Sequence, residues 1–320
     1  MKPIISLLCT VGLLIGTGCE KIIEFEGEVT RPRLTLAAQA SVGEPFTVYV
    51  ASSIFFLDNS DQEDAFKAPL DTVQGQVRFY VNREKNERVL QLRSGEGGTS
   101  YCYASDYVPA AGDHIRLEAE FPGFDPAWAE VEVPRKPRFE LLSVEFQQLD
   151  LSSAREFCQV DLTLAVSDDG TYDKYYFLQP FVSYSNTLPW WDEQETILTP
   201  LLFTSNDVIF QDVDGTSLLL EALDSESGLA GNYFSDALIK GQRHVFKITV
   251  LNVPAPERIS LFGLKLATVD ENQYWYDYSY SQLKGRFDGL FSEAVSLYSN
   301  VHGGYGILYA NAPVWLGVEW

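Results

Sequence analysis

The chain is poor in the residue types on which many enzymes depend. Its 320 residues include 3 histidines, 4 cysteines and 1 methionine. It has no Gly-x-Ser-x-Gly nucleophile elbow, no His-Glu-x-x-His zinc helix and no Gly-x-x-x-x-Gly-Lys-Ser/Thr phosphate loop. A histidine-dependent centre could draw only on His114, His244 and His302, which stand in unrelated sequence contexts. The sequence therefore predicts a protein that is not an enzyme and that binds no cofactor.

Basic residues are also scarce relative to acidic ones. Lys and Arg number 23 against 45 Asp and Glu, which gives a formal net charge of −22. Nucleic acids and anionic lipid surfaces are recognised mainly through Lys and Arg, so this balance disfavours nucleic acid as a partner. A strongly acidic chain is typical of a well-solvated surface protein or of one with cationic partners.

Long hydrophobic runs are missing except near the N-terminus. The apolar stretch 4–15 follows the single charge of Lys2 and ends in three small residues before Cys19. It is shorter than the roughly 20 apolar residues of a transmembrane helix, and it has the layout of a secretory signal. The cysteine predicts a lipoprotein signal over 1–18 with acylation at Cys19, followed by an acidic tether over 19–33. An ordinary cleaved signal with an incidental cysteine is the alternative.

Polar and apolar residues alternate with period two from about Leu34 to the C-terminus. The alternating segments and the turns between them predict roughly seven short strands and an immunoglobulin-like β-sandwich over 34–134. Two prolines and two charges over 134–137 make a poor strand interior, so the domain boundary is expected there. A second β-rich domain is expected over 137–320. The predicted fold class is mainly β.

One helix is expected, over about 270–285. Asp270 is a good N-cap, and Gln273 three residues later completes a capping-box pattern. The aromatic residues that follow have helical spacing, and Gly285 can end the helix.

Two cysteines remain once the signal is removed and Cys19 is acylated. Cys102 and Cys158 could pair in an oxidising compartment, but they fall in different predicted domains. Two buried thiols are the favoured interpretation, and the sequence leaves the pairing open.

Several segments share their pattern with one protein family. They are the strand and loop 45–53 with 73–77, the acidic turn 167–170 with 173–176, the turn 234–242, and the segment 293–307. The last is the most specific, with Tyr298-Ser299-Asn300 followed by Gly303-Gly304, although Ala294 replaces the family's usual proline. In these segments the chain resembles the Bacteroidota lipoprotein family catalogued as domain of unknown function 4249. The resemblance implies an outer-membrane or surface lipoprotein, often encoded beside TonB-dependent receptors, with no assigned activity.

Aromatic residues are the main binding candidates. Trp190 and Trp191 are adjacent in a polar stretch, and neighbours in a strand point to opposite faces, so at least one is expected to be exposed. Trp275 and Tyr276 lie among further tyrosines on more than one face of the predicted helix. Such side chains bind glycans or anchor protein partners. For Trp190 and Trp191 the alternative is packing within the fold, and core packing is the favoured interpretation for Tyr274 and Tyr278.

A metal site is a weaker candidate. Asp212, Asp214 and Glu221 match positions three, five and twelve of a calcium-binding loop, but Phe210 at position one cannot coordinate. The flanking residues also read as strands rather than helices. A hairpin turn is the favoured interpretation, and no metal site is predicted.

Three functional hypotheses follow. The first is a non-enzymatic outer-membrane lipoprotein, exposed at the cell surface, that is an accessory or ligand-binding component of a TonB-dependent uptake system. Its expected partners are the membrane through the lipid anchor, a TonB-dependent receptor, and a glycan or peptide ligand. The second is a structural or adhesive surface protein, such as an appendage subunit. The third is a carbohydrate-active hydrolase that uses paired carboxylates. A periplasm-facing orientation is the alternative location.

Overall fold

In a computed structural model of the chain, the described residues are 31–53, 74–83, 88–94, 101–147, 157–172, 174–185, 196–210, 232–254, 259–284 and 296–319. Within these ranges strands dominate and a single α-helix lies near the C-terminus, so the mainly β fold class is confirmed. The immunoglobulin-like form of the first part stays a prediction. None of the helices in these ranges combines the length and hydropathy that a membrane crossing needs.

Seventeen strands and one α-helix account for the regular structure of the described part. The strands of the first half are β1 (Leu34–Ser41), β2 (Thr47–Ser52), β3 (Gln76–Val81), β4 (Arg88–Val89), β5 (Gln91–Ser94), β6 (Tyr101–Ala104), β7 (His114–Glu120), β8 (Ala127–Glu132) and β9 (Arg138–Gln147). The second half adds β10 (Phe157–Ser167), β11 (Tyr175–Ser185), β12 (Thr196–Pro200), β13 (Phe203–Thr204), β14 (Asn232–Ser235), β15 (Arg243–Pro254), β16 (Leu261–Val269), α1 (Glu271–Lys284) and β17 (Tyr305–Val318). A short 3₁₀ helix spans Val208–Phe210.

These strands form three sheets. The large sheet has the order β12-β11-β16-β17-β1-β2-β6-β5, with β14 also paired to β11. A second sheet has the order β13-β15-β10-β9, and a third has the order β4-β3-β7-β8. The alternation of polar and apolar residues gives a strand one buried and one outward-facing side. Strand β7, for example, buries Ile115, Leu117 and Ala119 and turns the residues between them outwards.

Strand β17 is shared between two hydrophobic cores. Its residues 305–311 pair in parallel with β1, and residues 311–318 pair antiparallel with β16. One core contains residues of β1, β2, β3, β6, β7 and β8 together with Leu308 and Ala310, and the other contains residues of β10, β11, β15 and β16 together with Val318. The boundary at 134–137 stays a prediction, but the C-terminal strand contributes to the first core as well as the second.

The alternating segment 89–92 is divided in the structure. Strands β4 and β5 belong to different sheets, and Leu90 separates them. Leu90 is buried in the first core, and its N–H donates to the carbonyl of Val77 at 2.9 Å. The chain therefore crosses from one sheet to the other at this residue.

Three glycines, two just before β17 and one within it, allow this segment to approach β1 and the start of β8 closely. A Cβ on Gly306, which has φ +107°, would lie 1.9 Å from the Leu36 carbonyl oxygen. A Cβ on Gly304 would lie 2.4 Å from the Leu34 carbonyl oxygen, and one on Gly303 would lie 2.2 Å from that of Pro126. The glycine-rich pattern of the C-terminal segment therefore has a steric cause.

Both cysteines outside the N-terminal segment are unpaired. Cys102 and Cys158 are free, partly buried thiols, and burial raises the pKa of Cys158.

Candidate functional site

Helix α1 presents aromatic side chains on two sides. Tyr274 is buried and stacks on Tyr175 of the large sheet, with ring centroids 4.4 Å apart. Trp275 and Tyr278 each keep 41% of their surface exposed and meet edge to face at 6.0 Å. The predicted helix is confirmed, and it displays an exposed Trp–Tyr pair.

The start of the helix departs from the predicted capping box. Asp270 accepts the backbone N–H of Gln273 at 3.1 Å, as an N-cap does. The Asp270 N–H, however, donates to the carbonyl of Ala310 on β17 at 3.0 Å, so it is not available to the Gln273 side chain. Burial raises the pKa of Asp270 to about 6, although hydrogen bonds from Asn272, Gln273 and Ala310 oppose the shift.

A partly buried polar network fixes the helix to the sheet. Gln273 donates from Nε2 to the Tyr233 hydroxyl at 3.2 Å, and Tyr233 donates to the Asp277 carboxylate. Asn311 of β17 donates to Gln273 Oε1 at 3.2 Å and accepts from the Ser41 hydroxyl of β1 at 2.9 Å. Burial raises the pKa of both Tyr233 and Asp277. Directional bonds to β14 and β17, the second of which is itself bonded to β1, hold the aromatic face of the helix in one position.

The aromatic contacts continue from the helix along the outer face of the large sheet. Tyr233 meets Phe177 at 5.1 Å between ring centroids, and the Lys265 ammonium lies over Phe177 at 5.9 Å and over Trp315 at 5.1 Å. Trp315 is 48% exposed and meets Phe181 edge to face at 5.2 Å. We name this row of side chains the aromatic ridge: Trp275, Tyr278, Tyr274, Tyr233, Phe177, Lys265, Trp315 and Phe181.

The acidic turn 167–170 and the turn 234–242, remote in sequence, meet at a buried carboxylate. Asp168 accepts the backbone N–H groups of Gly170 at 2.7 Å and Gly241 at 2.6 Å, the Lys174 ammonium at 2.6 Å and the Tyr176 hydroxyl at 3.2 Å. Burial disfavours its ionisation, but the hydrogen bonds from Gly241 and Lys174 keep the pKa of Asp168 below its usual value. The cluster is a satisfied ion pair that joins two turns.

A family model described as Domain of unknown function (DUF4249) matches residues 20–313. The chain belongs to this family. All four segments that carry the resemblance lie within the matched range. No curated protein shows significant sequence similarity to the chain.

The three histidines of this DUF4249 protein have identifiable partners. His302 stacks on Trp128 with ring centroids 4.0 Å apart, and the two residues exchange backbone hydrogen bonds. His244 Nε2 lies 2.9 Å from Asp207, and His114 lies 3.6 Å from Glu130. Within the described ranges, no group of three or more His, Cys, Asp or Glu side chains could hold a metal ion.

Two of the predicted site residues, Trp275 and Tyr276, lie in the described part of the chain. Trp275 is exposed, and Tyr276 is partly buried with its ring stacked on Tyr280 at 6.4 Å. Burial raises the pKa of Tyr276. The others lie outside the described residues and stay predictions: Cys19, Trp190, Trp191, Asp212, Asp214 and Glu221.

The sequence did not indicate the part of the aromatic ridge that lies on the large sheet, which we call its sheet end. Phe177, Lys265 and Trp315 lie on three different strands, and they become neighbours only through the register of β11, β16 and β17. The available signal was the presence of aromatic and basic residues at outward-facing positions of otherwise apolar strands.

Proposed function

We propose that this protein is a non-enzymatic lipoprotein of the bacterial outer membrane, displayed at the cell surface, where it serves a TonB-dependent uptake system as an accessory binding component. The supporting observation is the exposed Trp275–Tyr278 pair on a helix held by buried hydrogen bonds. Tryptophan and tyrosine are enriched among the residues that dominate binding energy at protein interfaces. A surface already fixed in the free protein loses little conformational entropy on binding.

The N-terminal sequence supports the membrane attachment. Acyl chains on Cys19 supply the hydrophobic anchor, and several chains are needed because a single one binds membranes only marginally. The predicted tether 19–33, of about fifteen residues, can span at most about 50 Å when fully extended. That length leaves the folded part free to meet a receptor in the same membrane.

Three carboxylates in the described part of the chain have structural partners, which favours a binding role over hydrolysis at these positions. Asp168 and Asp270 accept several hydrogen bonds each, and Asp277 accepts one from Tyr233, within buried networks that hold turns and the helix in place. A glycosidase needs two carboxyls that face a substrate cleft, one of them able to donate a proton. The appendage and hydrolase hypotheses remain alternatives.

Receptor capture tests the proposal. The full-length protein is expressed in its native host, isolated in mild detergent, and its co-purifying partners are identified by mass spectrometry. We expect a TonB-dependent β-barrel receptor with the wild type and at least a tenfold lower yield of it with the Trp275→Ala/Tyr278→Ala variant. Tyr49→Ala is the matched control, because Tyr49 is an aromatic residue on β2, outside the ridge, that is even more exposed than Trp275 and Tyr278.

Two further measurements complete the test. Mass spectrometry of the N-terminal peptide is expected to find Cys19 acylated, and protease treatment of intact cells is expected to cleave the protein. Recovery of no β-barrel partner with the wild type contradicts the receptor role. Equal recovery with wild type and the double variant contradicts the assignment of the role to the helix.

A further inference from the structure

Lys265 lies on β16, between β11 and β17, in the part of the aromatic ridge that lies on the large sheet. It is opposite Trp315 in the pairing of β16 with β17, and opposite Gln179 in the pairing of β16 with β11. Residues paired in this way project from the same face of a sheet. The ammonium is therefore flanked by an indole on one side and by the side chains of β11 on the other.

The charge of Lys265 is not balanced locally. Among the residues that the structure describes, no carboxylate forms an ion pair with this ammonium, in a chain with 45 acidic residues. The ammonium instead contacts the ring faces of Phe177 and Trp315. Burial lowers the pKa of Lys265, and only the longer-range charge of Glu44 opposes this shift. Partly buried cations in proteins are normally paired, so an unpaired one favours an anionic ligand.

Two glycines lie beside Lys265 and Trp315. Gly263 and Gly317 face each other across β16 and β17, two residue pairs further along the register. A Cβ on Gly263 would lie 2.6 Å from the Phe181 ring, so the missing side chain is what lets Phe181 reach Trp315 across β16. Gly317 is exposed and Trp315 is 48% exposed. The indole consequently has an open approach beside the cation.

We propose that Lys265 and Trp315 form a binding site for an acidic saccharide. The Lys265 ammonium pairs with the carboxylate of a uronic-acid residue, and the exposed indole of Trp315 stacks on the apolar face of its ring. A charged hydrogen bond beside an aromatic platform fixes both the anionic group and the orientation of the ring. At physiological salt, charges beyond about 8 Å are largely screened. The net charge of −22 therefore does not prevent an anion from binding next to Lys265.

The site is separate from the surface assigned to the receptor. Trp275 and Tyr278 lie at the helix end of the ridge, and Trp315 lies at the sheet end. Substitutions at Lys265 or Trp315 should therefore weaken saccharide binding without affecting receptor capture. The Trp275→Ala/Tyr278→Ala variant should have the opposite effect.

Isothermal titration calorimetry of the full-length protein in detergent tests the site, with tri-galacturonic acid as the probe. We expect saturable binding, about tenfold weaker in Lys265→Met, which corresponds to about 1.4 kcal/mol. Lys265→Arg restores the charge and should bind within threefold of wild type. Lys247→Met is the matched control, since Lys247 is an exposed strand lysine on β15, and it should leave the affinity unchanged. Trp315→Ala should also weaken binding at least tenfold.

Two comparison ligands separate the contributions of charge and ring. Neutral tri-galactose should bind weakly and with the same affinity to wild type and Lys265→Met. Acetate, a carboxylate without a ring, should not compete with tri-galacturonic acid at equal concentration. Equal affinity of wild type and Lys265→Met for tri-galacturonic acid, no saturable binding by a protein with native circular dichroism, or effective competition by acetate overturns the proposal.

Discussion

Asn300 holds the backbone of Leu308 with both ends of its side-chain amide. Its Nδ2 donates to the Leu308 carbonyl at 2.7 Å, and its Oδ1 accepts the Leu308 N–H at 2.9 Å. Next to it, the Tyr298 hydroxyl donates to Asn272 of α1 at 2.8 Å, and the Tyr298 N–H donates to the Ser279 hydroxyl at 2.9 Å. The Tyr-Ser-Asn segment therefore joins the helix to the strand that both cores share.

Replacing Asn300 with alanine should destabilise the protein. The change removes two hydrogen bonds to the backbone of β17, with an expected loss of about 1–3 kcal/mol in the free energy of unfolding. Urea unfolding followed by circular dichroism measures it. Asn206→Ala is the control, since Asn206 is exposed, and it should cost less than about 0.5 kcal/mol. Equal losses in the two variants would show that the amide contacts contribute nothing.

Gly306→Ala should be far more harmful than Gly43→Ala. Both glycines have positive φ, +107° and +97°, so alanine meets similar backbone strain of about 1–2 kcal/mol at either position. Only at Gly306 does the new methyl group collide with a backbone atom, the Leu36 carbonyl oxygen. We expect at least about 3 kcal/mol of additional destabilisation, or loss of soluble protein. Similar melting temperatures for the two variants would refute the close approach of β17 to β1.

Asp270 should make the protein less stable as the pH rises from about 4 to 6. Its pKa in the folded protein is about 6, above the ordinary value of 3.8, so the folded state binds the proton more tightly than the unfolded state. Its contribution is complete below the unfolded pKa and is lost as the pH rises through the folded pKa, on the order of 2 kcal/mol.

Asp270→Asn isolates that contribution, because asparagine is also a good N-cap but does not titrate. We expect the difference in unfolding free energy, wild type minus Asp270→Asn, to fall as the pH is raised from 4 to 6.5. A difference that is constant over this range would contradict the raised pKa.

Lys174→Met should cost more stability than Arg243→Met. Lys174 is almost fully buried against Asp168, which is itself inaccessible, so its removal leaves an unpaired carboxylate inside the protein and costs about 3–5 kcal/mol. Arg243 makes a contact of similar length, 2.8 Å, with Glu140, but both side chains are about half exposed. That pair is worth less than about 1 kcal/mol. Chemical unfolding of both variants compares them, and a small loss for Lys174→Met would disprove the buried pair.

Local signals predicted the elements that local interactions determine. The N-cap at Asp270 and the alternation in β7 depend on residues within a few positions, and both were read correctly. The hydrogen-bond partners of the Gln273 side chain could not be predicted from nearby residues. Ala310 occupies the Asp270 N–H and Asn311 binds Gln273, and both are almost forty residues away.

The candidate site was predicted only in part for the same reason. Trp275 could be recognised from the helical pattern that surrounds it. The patch around Lys265 needs the register of three strands, and a slip of one residue in that register would turn Trp315 to the opposite face. Sequence alone contains no direct measure of such pairing.

The position of β17 has a consequence for the order in which the protein can fold. These fourteen residues are made long after β1, so one edge of β1 stays unfilled until they leave the ribosome. Neither hydrophobic core can be completed before then, because both cores need β17. A chain truncated before β17 should consequently be degraded as a whole, with no stable fragment left behind.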